Sequence, residues 1–348
     1  MGIQSVYVKK HNRNKIALIG SGNWGMNYVN NLCGLIGDEN VIVCDVNKKK
    51  LEMISTNYPK VLVTENFEEI LDENNIYAAV IATPSDLHYK LGMAILKAGK
   101  NVLIEKPIAY SSEQALEMQE YASNENLILM SGHLMLYHPG VVEMSKMVNS
   151  GELGEIYYIH SQRKNLGGFR KTENVLWDLG PHDISIILEL IDELPVKVSA
   201  QGATYIQKDL DYQDVVHLQL QFDSGKIATI HLSWLDPLKE RNVTIVGSKK
   251  MMVFNDMLLN DKLKLYDKGV ENTGDSPMLR HGETTSIQIS HAEPLSEMLI
   301  HFLDSIKNKN TPKSDGLSAA KVISVLEAAQ ISLINDGIKT SISYKDTP

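Results

Sequence analysis

Short apolar runs alternate with longer amphipathic stretches through the first third of the chain. IALIG (16–20) precedes WGMNYVNNL, VIVCDV (41–46) precedes a lysine-led polar segment, and VLV (61–63) precedes TENFEEILDEN. AAVIATP (78–84) then precedes LHYKLGMAILKAG (87–99), and NVLIEKP (101–107) follows. Apolar runs without alternation are the mark of strands buried on both faces, and helices between them predict a parallel, doubly wound sheet.

Past residue 130 the period changes. SGHLMLYHPGVVEMSKMVNSGELG (131–154) runs from a strand end into a helix that stops near Gly151. EIYYIHSQR (155–163), VTIVG (243–247) and MMVFN (251–255) are rich in β-formers. In VVHLQLQF (215–222) and KIATIHLSW (226–234) apolar and polar residues alternate strictly, and Asp223-Ser224-Gly225 between them is a hairpin turn. The prediction is an α+β domain with a large, mostly antiparallel open sheet. Its polar face carries His217, Gln219, Thr229, His231 and Ser233, read as solvated or packed on another subunit. The domain expectation is a polar leader over 1–14, a doubly wound domain over 15–130 and the α+β domain over 131–348.

The first loop gives the parallel sheet a purpose. Gly20 permits a tight turn after the strand, Gly22 lets backbone approach a pyrophosphate, and Gly25 lets the next helix pack closely. Asn23, Trp24, Gly25 and Met26 open that helix, so its first amides face a bound phosphate. Asp45 ends the second apolar run twenty residues past Gly25, where a dinucleotide fold places the carboxylate for the adenosine ribose. A carboxylate there repels a 2′-phosphate, which favours NAD over NADP, although Lys48 lies close by in sequence. The order strand, glycine turn, helix, strand, acid distinguishes this from an isolated glycine turn.

Composition narrows the class. Hydrophobic residues make up 43% of the chain and charged residues 22%, with a net charge of −9 and no basic block suited to nucleic acid. No uninterrupted apolar stretch approaches the ~18–20 residues of a membrane span. The first fourteen residues lack the apolar core of a signal peptide, and Cys33 and Cys44 read as buried thiols, so the expected compartment is the cytoplasm. No paired-cysteine metal signature occurs, and no metal is expected.

IEKP (104–107) lies at a strand's carboxyl end, where open α/β sheets bind ligands. Pro107 keeps Lys106 extended and presents its ammonium; Glu105 is placed to pair with an amine or bind a ribose. Read alone, this is equally a surface Lys-Pro turn. In NVLWDLGPHD (174–183), Pro181 suits a helix's first turn, which places His182 and Asp183 at a helix start where imidazolium is disfavoured. A neutral His182 suits a general base, with Asp178 to orient it; capping and a zinc site of Asp178, His182 and Asp183 are the rival readings. His133 and His138 are possible pocket residues whose default is a satisfied structural role, and Arg163 is either a phosphate or carboxylate anchor or a surface arginine.

Taken together, G-x-G-x-x-G, T-P-x-x-x-H (Thr83, Pro84, His88), E-K-P and D-x-x-x-H (Asp178 to His182) resemble the Gfo/Idh/MocA oxidoreductases, from about residue 15 to 345. The resemblance implies a Rossmann domain and a sheet domain, with Lys106 and His182 flanking the reacting carbinol and Asp178 nearby. It implies that Thr83, Pro84, His88, Glu105 and Lys106 line the cofactor, and that the GHLMLYHP stretch lines the active site, with Tyr137 and His138 placed to touch substrate; Arg163 and Asn165, ending a strand before Gly167-Gly168, are further substrate candidates from their position. It further implies a homodimer or homotetramer built on the C-terminal sheet. NVLWDLGPHD with SWLDPLKERNVTIVGSKKMMVFND (233–256) is similar to the nucleotide-sugar branch, which implies oxidation at C3 of UDP-N-acetylglucosamine or its uronate. A free-sugar or inositol dehydrogenase is the nearest alternative, and a non-catalytic NAD-binding sensor the alternative of another class.

Overall fold

The computed structural model describes residues 15–272, 274 and 276–345; the leader expected over 1–14 lies outside them. Two compact units are present. Among the described residues the first comprises 15–134 and Glu293–Lys321, and the second Met135–Ala292 and Val322–Lys345.

The first unit is the doubly wound sheet. Strands β1 (Lys15–Ile19), β2 (Val41–Cys44), β3 (Leu62–Thr64), β4 (Ile76–Ile81), β5 (Asn101–Ile104) and β6 (Leu129–Ser131) alternate with helices α1 (Asn23–Ile36), α2 (Lys48–Asn57), α3 (Phe67–Asp72), α4 (His88–Lys97) and α5 (Ser112–Asn124). All pairings are parallel, in the order β3-β2-β1-β4-β5-β6. The order reverses between β1 and β4, so the crevice for a ligand opens at their carboxyl ends, beside the glycine turn. Ile16, Leu18, Val43, Val80 and Leu103 are fully buried, as strands covered on both faces require.

This unit is not contiguous, which departs from the boundary expected at residue 130. The late helix Pro294–Asn308 packs on α1, and Ser131 donates its N–H to the Ser314 carbonyl at 2.7 Å. Gly316 donates to Gln119 Oε1 at 2.8 Å. The cause is the apolar face of the late helix, with Leu299, Phe302 and Leu303 buried, whose partner lies far upstream.

The second unit holds α6 (Pro139–Asn149), β7 (Ile156–Leu166), α7 (Val175–Leu190), β8 (Lys197–Ala203), β9 (Val215–Gln221), β10 (Ile227–Ser233), β11 (Leu235–Gly247), β12 (Met251–Asn255), β13 (Leu263–Asn272), β14 (Pro277–Ile287) and β15 (Thr340–Ser341). Its nine strands run β14-β13-β12-β11-β7-β10-β9-β8-β15. Among its described residues only β7 and β10 pair in parallel. The hairpin predicted at 223–225 joins β9 to β10, with Gly225 at φ +86°. Leu218, Leu220, Ile230, Leu232 and Trp234 form the apolar face, covered by Ile184 and Ile187 of α7.

One helix among the described residues, Gly316–Ile334, is long and apolar enough to cross a membrane, and 56% of its most apolar window is buried. Its Val322, Val325, Leu326 and Ala329 belong to the second unit's core.

The seat of α1 is close to the steric limit. A Cβ on Gly25 would stand 2.2 Å from the Gly20 carbonyl oxygen, a backbone atom that cannot turn aside. We expect Gly25→Ala to cost about 1–3 kcal/mol. At ~2–4 °C per kcal/mol this lowers the thermal midpoint by about 2–12 °C, read by circular dichroism.

Candidate active site

The glycine turn is built to admit an anion. Gly20 sits at φ +93°, and a Cβ there would meet the Ala82 carbonyl at 2.7 Å. At Gly22, by contrast, nothing lies within 4 Å of the place a Cβ would take, so that side of the loop is open. Gly22 is the N-cap of α1; no side chain caps the helix and its first turn carries no acid. The exposed helix start therefore offers N–H groups and the positive end of the macrodipole. These residues fit the pyrophosphate of a dinucleotide.

Asp45 stands across the turn. Its Oδ2 accepts from Ser21 N–H and Ser21 Oγ, each at 2.6 Å, and its Oδ1 accepts from Asn47 N–H at 2.8 Å. Desolvation pushes this carboxyl up, but the Ser21 and Asn47 hydrogen bonds outweigh it and hold the pKa below the ordinary value. A fixed, ionised carboxylate fits a ribose diol and repels an added phosphate.

Glu105 connects this turn to the lysine. One oxygen accepts from Trp24 Nε1 at 2.5 Å and Tyr28 Oη at 2.6 Å; the other accepts from Lys106 N–H at 3.1 Å. Burial and the Glu105 charge push the Tyr28 phenol well up, so it stays a donor. The Lys106–Pro107 peptide is cis. Thr83 and Pro84 follow β4, where Thr83 Oγ1 donates to the Pro84 carbonyl at 3.3 Å.

His88, expected as a cofactor contact, is instead a brace. It is 1% exposed, with Nδ1 2.8 Å from the Pro107 carbonyl oxygen and Nε2 2.9 Å from the Thr83 carbonyl oxygen. Burial lowers its pKa despite these contacts. The ring thus holds the loops after β4 and β5 together.

In the second unit, α7 corrects the reading of NVLWDLGPHD. The helix begins at Val175, capped by the Asn174 side chain, which accepts from Trp177 N–H. Pro181 is consequently inside the helix, and His182 lies in its body rather than at its start. The cap seven residues before Pro181 sets the start, and the helix-start reason for a neutral imidazole falls away. Asp178 occupies the first turn and, four residues before His182, shares its helix face. Its oxygens accept from Trp234 Nε1 at 3.1 Å and Arg170 Nε at 3.3 Å.

Two expected substrate residues are otherwise engaged. Arg163 is 5% exposed and donates from Nε to Asp183 at 2.5 Å, while Ser161 Oγ donates to the same carboxylate. This pair pins β7 to α7 and removes Asp183 from the zinc reading. His138 caps α6, accepting from Gly140 N–H at 3.0 Å on Nδ1, and its Nε2 meets Asp256 at 3.1 Å. Asn165 Nδ2 donates to the Gly167 carbonyl at 2.8 Å and shapes the glycine loop, and Tyr137 is buried in a helical turn before α6. Among the described residues no group of three or more His, Cys, Asp or Glu side chains is placed to hold a metal ion.

His133, a possible pocket residue with a satisfied structural role as its default reading, is enclosed in the structure. It is 2% exposed, and neither ring nitrogen has a hydrogen-bond partner among the described residues. Burial and then the Lys106 charge push its pKa down to about 4.

Asp45→Ala should weaken NAD binding by about tenfold or more, as loss of one charged hydrogen bond implies. NADP should lose less, so the ratio of the two dissociation constants narrows. Nucleotide fluorescence titration reads both; an unchanged ratio contradicts the ribose assignment.

Residues 14–133 match the family described as "Oxidoreductase family, NAD-binding Rossmann fold", and residues 141–253 match the "GFO/IDH/MocA C-terminal domain". The chain is 26% identical over 198 residues to 2,7-anhydro-N-acetylneuraminate hydratase of Escherichia coli, covering 53% of each, so it spans about half the length of that relative. It is 24% identical over 249 residues to UDP-N-acetylglucosamine 3-dehydrogenase of Acidithiobacillus ferrooxidans, covering 71% of this chain and 75% of that one. A solved structure of that dehydrogenase superposes with a TM-score of 0.78 at 19% identity, covering 92% of this chain and 97% of the other. Similarity to scyllo-inositol 2-dehydrogenase (NAD(+)) of Bacillus subtilis is 22% over 341 residues, 95% of this chain and 97% of that one. With both family domains matched in order over more than half of its length, the chain belongs to the GFO/IDH/MocA oxidoreductase family, and its first unit is an NAD-binding Rossmann domain.

Proposed function

We propose that this protein is an NAD-dependent oxidoreductase that transfers hydride between nicotinamide and a ring carbinol of a sugar or polyol. The observation that carries the reading is the lysine strand end tied to the phosphate turn: Glu105 accepts from both Trp24 of α1 and the Lys106 N–H. The bound dinucleotide supplies the hydride acceptor. As the carbinol carbon gives up hydride, the His182 imidazole takes the hydroxyl proton as general base. The Lys106 ammonium stabilises the charge developing on that oxygen. Asp178, held by Trp234 and Arg170, is a fixed negative charge that steadies the protonated His182. The pairing of Lys106 with His182 in one reaction rests on the family resemblance.

Within that class we assign C3 of a UDP-N-acetyl sugar or its uronate. The support is the likeness of 174–183 and 233–256 to the nucleotide-sugar branch, together with a UDP-N-acetylglucosamine 3-dehydrogenase among the relatives. Inositol dehydrogenases among the relatives favour a polyol as the second reading.

The test is NADH absorbance with UDP-sugars, free sugars and inositols, with NAD or NADP and an added keto-acid acceptor. Turnover on a UDP-sugar with NAD is the expected result; turnover on inositols alone removes the nucleotide-sugar assignment. Lys106→Ala and His182→Ala should each lower kcat by about 10²–10⁴-fold with NAD affinity kept. Unchanged turnover in both contradicts the mechanism.

The polar face of the second sheet supports self-association as a homodimer or homotetramer. There His217 and His231 stack at 4.0 Å, and the His160 ring meets Thr229 Oγ1 at 2.8 Å. Analytical ultracentrifugation should find a dimer or tetramer, and His231→Glu should shift it toward monomer; a monomeric wild type contradicts the assignment.

A further inference from the structure

The second unit sets three charged residues in one row across β7, β11 and β12. Arg241 of β11 is paired in antiparallel register with Arg163 of β7, and the Arg241 carbonyl accepts from the N–H of Asp256, just past β12, at 2.9 Å. Residues two apart on a strand share a face. Arg241 therefore shares its face with the buried Val243 and Ile245, and Arg163 with the buried Ile159 and Ser161. This is the side of the sheet on which α7 places Asp183 against Arg163 and Ser161.

Like charges directly opposite on an antiparallel pair destabilise it. The neighbouring acids do not remove that repulsion. Asp183 is taken by Arg163 Nε at 2.5 Å and by Ser161 Oγ. Asp256 is taken on one oxygen by His138 Nε2 at 3.1 Å and Lys262 Nζ at 2.9 Å. Arg241 Nη1 stands 3.8 Å from the other oxygen, beyond hydrogen-bond reach. The two arginines and Lys262 thus outnumber the two carboxylates, before any charge on His138. Every other arginine among the described residues donates to a carboxylate: Arg163 to Asp183, Arg170 to Asp178 and Arg280 to Asp267. The Arg241 guanidinium, its side chain 39% exposed, makes no hydrogen bond among the described residues. Burial and then the Arg163 charge push its pKa below the ordinary value, against the pull of Asp256 and Asp183. It stays cationic all the same, with five N–H donors in a rigid fork.

We infer that Arg241, with Arg163 reinforcing its charge from the next strand, anchors an anionic group of the substrate: a phosphate of a nucleotide sugar or the carboxylate of a uronate. The open fork takes either group bidentately. An anion there turns the repulsion between two guanidinium groups into an attraction that both share. The anchor expected at Arg163 thus moves to its register neighbour, while Arg163 holds α7 to the sheet. Asp183 directly follows His182, so the row is tied to the helix that carries the proposed base. The inference deepens the proposed substrate class and rests on that reading for which anion is bound; binding itself needs no turnover.

The test titrates the full chain, saturated with NAD, by calorimetry with UDP, with glucuronate and with neutral N-acetylglucosamine. The wild type should bind at least one of the two anions. Arg241→Gln should weaken that anion by about tenfold or more, and N-acetylglucosamine by less than about twofold, as loss of a charge-assisted hydrogen bond implies. Loss on UDP alone marks a phosphate as the bound group, and loss on glucuronate alone a carboxylate. Arg241→Lys, a point charge without the fork, should recover only part of the loss. The thermal midpoint of Arg241→Gln should hold or rise by up to about 3 °C, because a like-charge pair is removed. A lowered midpoint with anion affinity kept marks a structural ion pair with Asp256 and overturns the inference. A wild type that binds neither anion, or equal losses on charged and neutral probes, also overturns it. The two readings fail separately. Anion binding that Arg241→Gln abolishes, in a protein that turns over no sugar, nucleotide sugar or inositol, removes the reaction and keeps the anchor. Turnover of a UDP-sugar or uronate with KM unchanged in Arg241→Gln removes the anchor and keeps the reaction.

Discussion

The Glu105 carboxylate is the interaction on which the first unit's chemistry depends. It sits where β5 ends, yet two of its three donors come from α1, the helix that starts at the glycine turn. A single charged acceptor thereby couples the place where a pyrophosphate fits to the place where an ammonium stands. Such charge-assisted hydrogen bonds are shorter and stronger than neutral ones. The His88 ring makes a second cross-tie, between the loops after β4 and β5.

What was legible in the sequence was what local spacing determines. The glycine turn, Asp45 and the apolar strands follow from steric needs felt within a few residues or one βαβ unit, and each stands where its spacing places it. The alternation in 215–234 likewise fixed the hairpin and its register. Roles that depend on distant partners were not legible. Arg163 looks like an anion anchor until Asp183 is brought against it by the packing of α7 on β7, and His138 looks like a pocket residue until Asp256 arrives on the strand side. Pro181 misled for a different reason: proline marks a helix's first turn on average, but here the Asn174 cap decides the start.

Two carboxylates in the second unit show how similar residues diverge. Asp178 and Asp183 lie on one helix, five positions apart and both buried. Asp183 is neutralised by a buried guanidinium and serves cohesion. Asp178 receives an indole N–H and a half-exposed arginine.

The discontinuous first unit has a consequence for vectorial synthesis. Its sheet is complete once Leu134 has emerged, but the helix that covers α1 begins only at Pro294. At about 5–20 residues per second, the nascent cofactor domain waits on the order of ten to thirty seconds with one flank uncovered. During that interval the whole second unit except its last strand and helix is being made. Nucleotide captured at the glycine turn in that window would bind a domain whose lid of helix is still on the ribosome, and a chaperone that shields the α1 flank would act on this chain before its own termination codon is read.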